Sequence, residues 1–258
     1  MVPGISKAGG DAPMLAAEGI VKQYPGAAAR ALDGFSLQVV RGQILGLLGP
    51  NGAGKTTAIS ILSTLMAPSA GQVFLMGRAA TLDRRRHRAS IGLAPQEIAL
   101  YEALSARENL EYFGRMYGLK GDALQRRVGE CLAAVGLTPQ ADQRAGTFSG
   151  GMQRRANLAV AIIHTPRLLF LDEPTVGVDA QSRAMIMDLL TVLKQDGTTI
   201  VVTTHYMEEA ETLCDTVAIM DAGRIIAEGP PKDLLANHPG AGSLGELFLR
   251  LTGRALRD

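Results

Sequence analysis

The sequence predicts an α/β protein built around a mainly parallel, doubly wound sheet. Apolar segments of strand length alternate with helical patterns along most of the chain, and such alternation is typical of a parallel sheet covered by helices. A glycine-rich loop at 49–54 lies between one predicted strand and the helix after it. The 258 residues suffice for one large α/β domain or two small ones, with a core that needs no disulfide or metal.

Composition and charge argue against several classes of protein. The 26 Lys and Arg residues balance 25 Asp and Glu residues, whereas a dedicated nucleic-acid binder usually carries a strong basic excess. The two cysteines, Cys131 and Cys214, lack the spacing of a zinc site or a disulfide framework, which favours a reducing, cytosolic compartment. No apolar run approaches the ~18 residues of a membrane span. Residues 1–13 are predicted to be a disordered leader without a secretory signal.

The first third of the chain is predicted to contain five strands and one helix. We expect strands at 15–23, 31–40, 44–48, 72–76 and 91–94. The run Ile44–Leu48 is apolar throughout, which indicates a strand buried on both faces. The helix after the glycine-rich loop is expected over 55–66, ending before Pro68.

The middle of the chain, 97–145, is predicted to be a mostly helical insertion in the α/β body. Ser105 and Glu108 fit a capping box, and Gly136 is suited to end a helix. Two sets of apolar residues repeat at helical spacing and are expected to face the core: Phe113, Met116 and Tyr117, then Leu124, Val128, Leu132 and Val135.

The strand–helix alternation then resumes. We expect helices at 150–163, 181–194 and 206–213, strands at 168–171 and 199–203, and a hairpin of 216–220 with 224–227. The main domain is predicted to span 14–240. A C-terminal amphipathic helix within 241–258 would start at a second capping box, Ser243 and Glu246, and bury Leu244, Leu247, Phe248 and Leu251.

The glycine-rich loop matches the phosphate-binding pattern GxxxxGK[ST] in full, and it lies between a strand and a helix, as that motif requires. Glycines let backbone N–H groups approach phosphate oxygens, and the helix N-terminus adds its positive dipole end. In this motif the lysine reaches the β and γ phosphates and the hydroxyl binds Mg²⁺. The candidate nucleotide-binding residues are Gly49, Pro50, Asn51, Gly52, Ala53, Gly54, Lys55, Thr56 and Thr57. The alternative is an ordinary glycine-rich turn.

Two consecutive carboxylates, Asp172 and Glu173, end the predicted strand at 168–171. Ligands bind at the carboxyl edge of an open α/β sheet. Because side chains alternate along a strand, one carboxylate could belong to a Mg²⁺ shell while the other acts on an attacking water. The alternative is a surface acid pair.

Together with these two motifs, Ser149, Gly150 and Gly151 at the start of a predicted helix resemble the signature of ABC ATPases, and the similarity covers nearly the whole chain. Tyr24 resembles the adenine-stacking aromatic residue, Gln96 the Q-loop glutamine, Asp179 the D-loop aspartate and His205 the switch histidine. The sequence departs from the family pattern at Phe148 and Met152, where leucine and glutamine are usual, and Met152 has no amide to contact a ribose.

The resemblance implies a P-loop NTPase with an antiparallel β subdomain and a helical subdomain at about 97–165. It also implies ATP and Mg²⁺ as cofactors. Asp172, Thr56 and Gln96 would bind the metal. Glu173 would polarise the attacking water, His205 would contact the γ-phosphate, and Lys55 would be the fourth catalytic residue, with Gln96 as well. ATP would be enclosed in a head-to-tail homodimer, between Lys55 of one copy and Ser149 of the other.

The family also implies integral membrane permease subunits as partners, no nucleic acid, and a peripheral position on the cytoplasmic face of the membrane. Segment 98–101, ending at Tyr101, is the candidate dock for the permease. Sequence around the signature and at 247–254 resembles type-2 exporters of the multidrug and daunorubicin-resistance kind. The alternatives are an importer ATPase, a soluble ABC protein and an inactive nucleotide-binding scaffold.

Some conspicuous residues receive no functional role. His87, His164 and His238 lack a motif context and are expected to be structural. The basic run at 84–88 is expected to be a solvated helix face, the alternative being a contact with acidic lipid or nucleic acid.

Overall fold

A computed structural model of the chain describes residues 12–80 and 87–253. Within these ranges the strands are β1 (Leu15–Lys22), β2 (Leu32–Val39), β3 (Ile44–Leu48), β4 (Ala70–Leu75), β5 (Arg78–Ala79), β6 (Ile91–Ala94), β7 (Leu168–Asp172), β8 (Thr199–Thr204), β9 (Thr216–Asp221) and β10 (Arg224–Gly229). The predicted leader, apart from its last two positions, and residues 84–86 of the basic run lie outside these ranges.

The described α-helices include those that the sequence predicts and one that it does not, Pro231–Asn237. They are α1 (Lys55–Leu62), α2 (Ala106–Met116), α3 (Gly121–Ala134), α4 (Gly150–Ile162), α5 (Ala180–Gln195), α6 (Met207–Leu213), α7 (Pro231–Asn237) and α8 (Leu244–Thr252). None of these helices is both long and apolar enough to cross a bilayer.

The strands form two sheets. The larger has the order β10-β9-β3-β8-β7-β6, with parallel pairing from β9 through β6 and β10 antiparallel at one edge. The smaller, β2-β1-β4-β5, is antiparallel throughout. The predicted mainly parallel sheet with a separate antiparallel β subdomain is therefore confirmed.

Alternate residues of the parallel strands face two separate cores, so the predicted burial of β3 on both faces is confirmed. Leu45 and Leu47 pack with the antiparallel sheet and α1, whereas Ile44 and Leu48 pack with the helices on the other face. The predicted apolar stripe of α3, at Leu124, Val128, Leu132 and Val135, is buried in the helical core. Cys131 and Cys214 are also buried, and burial raises the pKa of their thiols to about 11 and about 12.

Three local expectations are wrong. Helix α1 ends at Leu62 rather than 66, because Thr64 takes a left-handed φ of 65°. The stripe beginning at Phe113 does not face the core throughout: Met116 is 68% exposed, and Tyr117 is 44% exposed and stacks on the His164 ring at the surface. The C-terminal capping box is only half formed, because Glu246 accepts from the Gly242 backbone N–H instead of its predicted partner.

Parallel pairing brings the ends of four strands to one edge of the sheet. In register, Asp172 of β7 lies opposite Thr203 of β8, and Leu48 of β3 lies opposite Thr204. Ala94 of β6 lies opposite Leu171. The phosphate loop, Gln96, Glu173 and His205 follow these four strands, so the topology alone places those residues together.

Candidate functional site

The phosphate loop connects β3 to α1. Gly54 precedes the helix with φ 104°, and a Cβ there would lie 2.4 Å from the Ala31 carbonyl oxygen, so the position accepts only glycine. The Lys55 side chain is 5% exposed and donates to the carbonyl oxygens of Gly49 at 2.9 Å and Pro50 at 3.3 Å. The loop therefore presents a buried ammonium group and the unpaired N–H groups of a helix N-terminus to one anion-binding position.

The predicted catalytic residues meet around the carboxylate of Glu173. Lys55 Nζ and His205 Nδ1 each lie 3.4 Å from Oε1, and Gln96 Nε2 donates to Oε2 at 3.3 Å. The Glu173 side chain is only 7% exposed. Three segments far apart in the sequence thus converge on one buried acid.

The backbone of Glu173 is held in an uncommon conformation, with φ 50°. Its N–H donates to Thr203 Oγ1 at 2.9 Å and lies 3.2 Å from the Thr203 carbonyl oxygen. The same Thr203 hydroxyl donates to Asp172 Oδ1 at 2.5 Å. One hydroxyl therefore holds both acids, and the two neighbouring carboxylates point to different places, as alternation along a strand requires.

A cleft of about 700 Å³ lies over this group. One side is formed by phosphate-loop residues Asn51, Gly52, Gly54, Lys55, Thr56 and Thr57, and the other includes Gln96, Glu173 and His205. Four predicted site residues do not line the cleft. They are Gly49, Pro50 and Ala53 of the phosphate loop, and Asp172, which is buried next to Glu173. Tyr24 stands at the rim: its ring is partly exposed, and its hydroxyl is 3.2 Å from Thr57 Oγ1.

The donors at the cleft suit a magnesium ion bound with phosphate. The Thr56 hydroxyl, the Gln96 amide and the Glu173 carboxylate line the cleft, with the Asp172 carboxylate behind them, and such oxygen atoms are the ligands that Mg²⁺ prefers. Within the described ranges, no group of three or more His, Cys, Asp or Glu side chains is arranged to hold a metal ion.

The signature residues lie away from this cleft. Ser149 caps α4, with its Oγ accepting from the Met152 N–H at 3.3 Å, and both Ser149 and Gly150 are exposed. Gly151 is buried against the start of α5, where a Cβ would lie 2.4 Å from Ser182 Oγ. The chain therefore does not bring the signature into its own cleft.

Asp179 also lies outside the cleft, at the N-terminus of α5. Its Oδ1 accepts from the Ser182 N–H at 2.8 Å, and this hydrogen bond lowers the pKa of the carboxyl group. The two departures from the signature pattern have a packing role: Phe148 is buried, and Met152 packs against the helical core.

Sequence reasoning missed the residues that hold the Gln96 loop. Arg154 of α4 donates to the Gln96 carbonyl oxygen, and burial lowers the pKa of its guanidinium. Asn157, one turn later, donates to the Pro95 carbonyl at 3.2 Å and accepts from the Ala99 N–H at 3.2 Å. Arg154 and Asn157 are polar residues three positions apart and so on one face of α4, which is the signal that the sequence offers.

Comparison with known proteins adds independent findings. Residues 32–176 match the family model described as ABC transporter. The chain is 45% identical over 221 residues to a linearmycin resistance ATP-binding protein, LnrL, of Bacillus subtilis, covering 86% of this chain and 70% of that protein. It is 41% identical over 240 residues to a doxorubicin resistance ATP-binding protein, DrrA, of Mycobacterium tuberculosis, covering 93% and 71%.

Among solved structures, the fold resembles a dimeric post-hydrolysis state of the ATP-binding cassette MJ0796 bound to ADP and Pi. The TM-score is 0.78 and the identity 28%, over 84% of this chain and 98% of that one.

Proposed function

Because the chain belongs to the ABC transporter family, we propose that it is the ATP-binding and ATP-hydrolysing subunit of an exporter whose membrane-spanning subunits are separate chains. The observation that carries this proposal is the convergence of Lys55, Gln96 and His205 on the carboxylate of Glu173, beside a complete phosphate loop. A protein that only bound nucleotide would not need that second group of residues.

The phosphate loop and Tyr24 bind ATP. Backbone N–H groups from Gly52 to Thr56 surround the β and γ phosphates, and the Lys55 ammonium neutralises their charge in a site that excludes most water. The exposed face of the Tyr24 ring at the rim stacks on the adenine base.

Hydrolysis depends on the residues opposite the loop. Glu173 accepts a hydrogen bond from the attacking water and orients it, while His205 and Gln96 fix the carboxylate and contact the γ-phosphate and the water. Thr56, Gln96 and Asp172 would hold Mg²⁺, which would neutralise charge on the phosphates. Because phosphoryl transfer needs little covalent chemistry from the protein, positioning and charge account for most of the rate.

A second copy of the chain completes the site. Ser149 and Gly150 are exposed at the N-terminus of α4, a position suited to bind an anion, yet they lie outside the cleft of their own chain. In a head-to-tail homodimer these groups and Asp179 meet the γ-phosphate bound by the partner copy. ATP then closes the dimer, and hydrolysis releases it. The dimeric MJ0796 cassette, which shares this fold, supports the arrangement.

The membrane subunits bind at an aromatic patch formed by Tyr101, Tyr112 and Phe113. The three ring centroids lie 5.0 to 6.0 Å apart, and Tyr101 and Tyr112 are 49% and 41% exposed. A groove of about 230 Å³, to which Phe113 and Ala99 contribute, runs beside the patch. Bound there, the chain is peripheral to the membrane on its cytoplasmic face. Two of the relatives are drug resistance proteins, which supports export rather than import.

The test is ATP hydrolysis by full-length variants. Glu173→Gln keeps the size of the side chain but removes the charge, so kcat should fall by roughly 10²–10⁴-fold while ATP still binds. Lys55→Ala should lose ATP affinity. The matched control is Glu97→Gln, an exposed acid next to Gln96 that should behave as wild type. Near-normal turnover by Glu173→Gln would show that the proposed mechanism is wrong. If Glu173→Gln stays monomeric on size-exclusion chromatography at saturating ATP, the proposed dimer is wrong.

A further inference from the structure

Glu209, on α6, joins three segments that meet behind the catalytic cleft. Its Oε2 accepts from the Thr175 hydroxyl at 2.7 Å, and its Oε1 lies 3.3 Å from Arg183 Nε. The side chain is 13% exposed. Because a buried carboxylate is costly unless it is paired, a network of this kind indicates that its position matters.

Each of these segments continues from a residue of the proposed mechanism. Thr175 follows Glu173 by two positions, and Arg183 lies in the first turns of α5, just after Asp179. Helix α6, which carries Glu209, begins two positions after His205. Glu209 therefore connects the loop of the catalytic acid, the start of α5 and the switch-histidine loop.

The contacts extend from Glu209 to the imidazole itself. The Arg183 guanidinium lies 5.0 Å from the centroid of the Tyr206 ring, and the Tyr206 ring lies 4.3 Å from the His205 ring. Arg183 is thus held between the Glu209 carboxylate and the aromatic ring next to the histidine. If the carboxylate lost its charge, Arg183 would lose its ionic partner and would no longer be fixed over the Tyr206 ring.

Helix α6 is too short to be stable by itself, so its position, and that of His205 just before it, depends on contacts with the rest of the protein. It has seven residues and no side-chain cap at its N-terminus, and helices this short depend on tertiary contacts. Its buried apolar residues, Met207 and Ala210, attach it to the core. Among the described contacts, the pairing of Glu209 with Thr175 is the direct polar link between α6 and the loop of Glu173. Burial raises the pKa of the Glu209 carboxyl, whereas Thr175 and Arg183 favour its charged form.

We infer that Glu209 is a positioning residue for ATP hydrolysis: it fixes His205 relative to Glu173 and makes that placement depend on the start of α5. This inference rests on the proposed function. It predicts that changes at Glu209 affect the hydrolytic step and leave nucleotide binding in place, because none of Glu209, Thr175 and Arg183 lines the cleft.

The experiment compares Glu209→Gln with Glu208→Gln in the full chain, measuring kcat and KM for ATP and the affinity for a non-hydrolysable ATP analogue. Glu208 is the exposed neighbour on the same helix and serves as the matched control. Glu209→Gln should lower kcat about tenfold to a hundredfold, the range that a small misplacement of a catalytic group produces, with KM and analogue affinity within about twofold of wild type. Glu208→Gln should change none of them.

A second pair of variants tests the same link from its other side. Thr175→Val removes the hydroxyl and should lower kcat in the same way, and Thr175→Ser should restore it. The Thr175→Val, Glu209→Gln double variant should be little slower than either single variant, because both remove one contact. If Glu209→Gln does not fold, the kcat values of Thr175→Val and Thr175→Ser test the inference by themselves.

Two results would overturn the inference: kcat of Glu209→Gln equal to that of Glu208→Gln, or a loss of analogue binding together with kcat, which would assign Glu209 to binding or folding. Glu173→Gln, measured alongside, separates this inference from the proposed function. If it abolishes hydrolysis while Glu209→Gln does not, only the role of Glu209 is wrong. If it hydrolyses ATP normally, the proposed function fails.

Discussion

Replacement of Thr203 by valine should weaken both the fold and the chemistry, because one buried hydroxyl serves the two acids of the site. The Thr203 side chain is fully buried, and valine fills nearly the same volume, so the change removes hydrogen bonds without leaving a cavity. The variant loses the 2.5 Å bond to Asp172 Oδ1 and the 2.9 Å bond from the Glu173 N–H.

The two bonds contribute unequally to stability. A hydrogen bond to a charged group contributes about 1.5–3 kcal/mol, and the buried Asp172 side chain would be left with one partner fewer. The Glu173 N–H retains the Thr203 carbonyl oxygen at 3.2 Å, so its loss is small. We therefore expect the free energy of unfolding to fall by about 2–3 kcal/mol. For a domain of this size, each kcal/mol shifts the midpoint of thermal unfolding by about 2–4 °C, which gives a decrease of roughly 4–12 °C.

The effect on catalysis follows from the backbone of Glu173. In the valine variant the left-handed Glu173 residue loses the shorter of the two hydrogen bonds that its N–H donates to Thr203, and a strained residue relaxes when its support is weakened. We expect kcat to fall about tenfold or more, with ATP affinity little changed. The measurements are calorimetric unfolding and steady-state ATP hydrolysis. Thr203→Ser, which keeps the hydroxyl, is the control. A valine variant with the thermal midpoint and turnover of the serine variant would refute this reasoning.

Two further predictions concern surfaces away from the cleft. Tyr101→Glu places a charge in the exposed aromatic patch. Transport by the assembled complex should therefore be lost, while the isolated chain should hydrolyse ATP at the wild-type rate. Equal loss of both activities would indicate misfolding instead. Phe248→Ala empties a fully buried position of α8 and should cost about 3–5 kcal/mol of unfolding free energy, whereas Leu249→Ala, on the exposed side of the same helix, should cost less than about 1 kcal/mol; similar values in urea unfolding would show that α8 is not part of the cooperative core.

The phosphate loop and the acid pair were predictable from local patterns, because each follows a short apolar run and parallel pairing brings such strand ends together. Gln96 and His205 came instead from the resemblance to the family. Residues that support them were not predictable in this way. Thr203 lies opposite Asp172 only because of the register between β7 and β8, and the pairing of Glu209 with Thr175 depends on how α6 packs.

The same limit explains the error in α2 and the separation of the signature from the cleft. The spacing of Met116 and Tyr117 fits a buried stripe, but how far the packed core extends along a helix is set by its neighbours. Spacing alone also does not predict that Ser149, which caps α4, lies outside the cleft.

Helix α4 connects the exposed signature, at its first residues, to the loop of Gln96, which contacts the middle of the helix. Its first residues carry the exposed signature and touch α5 through Gly151, while Arg154 and Asn157, further along, hold the loop of Gln96. Seven residues of helix separate Gly150 from Asn157, a distance of about 10 Å at 1.5 Å per residue. A tilt of about 10° around Asn157 would therefore displace the signature by about 2 Å. A small rotation of the helical subdomain about the Gln96 loop would thus change the position of the signature.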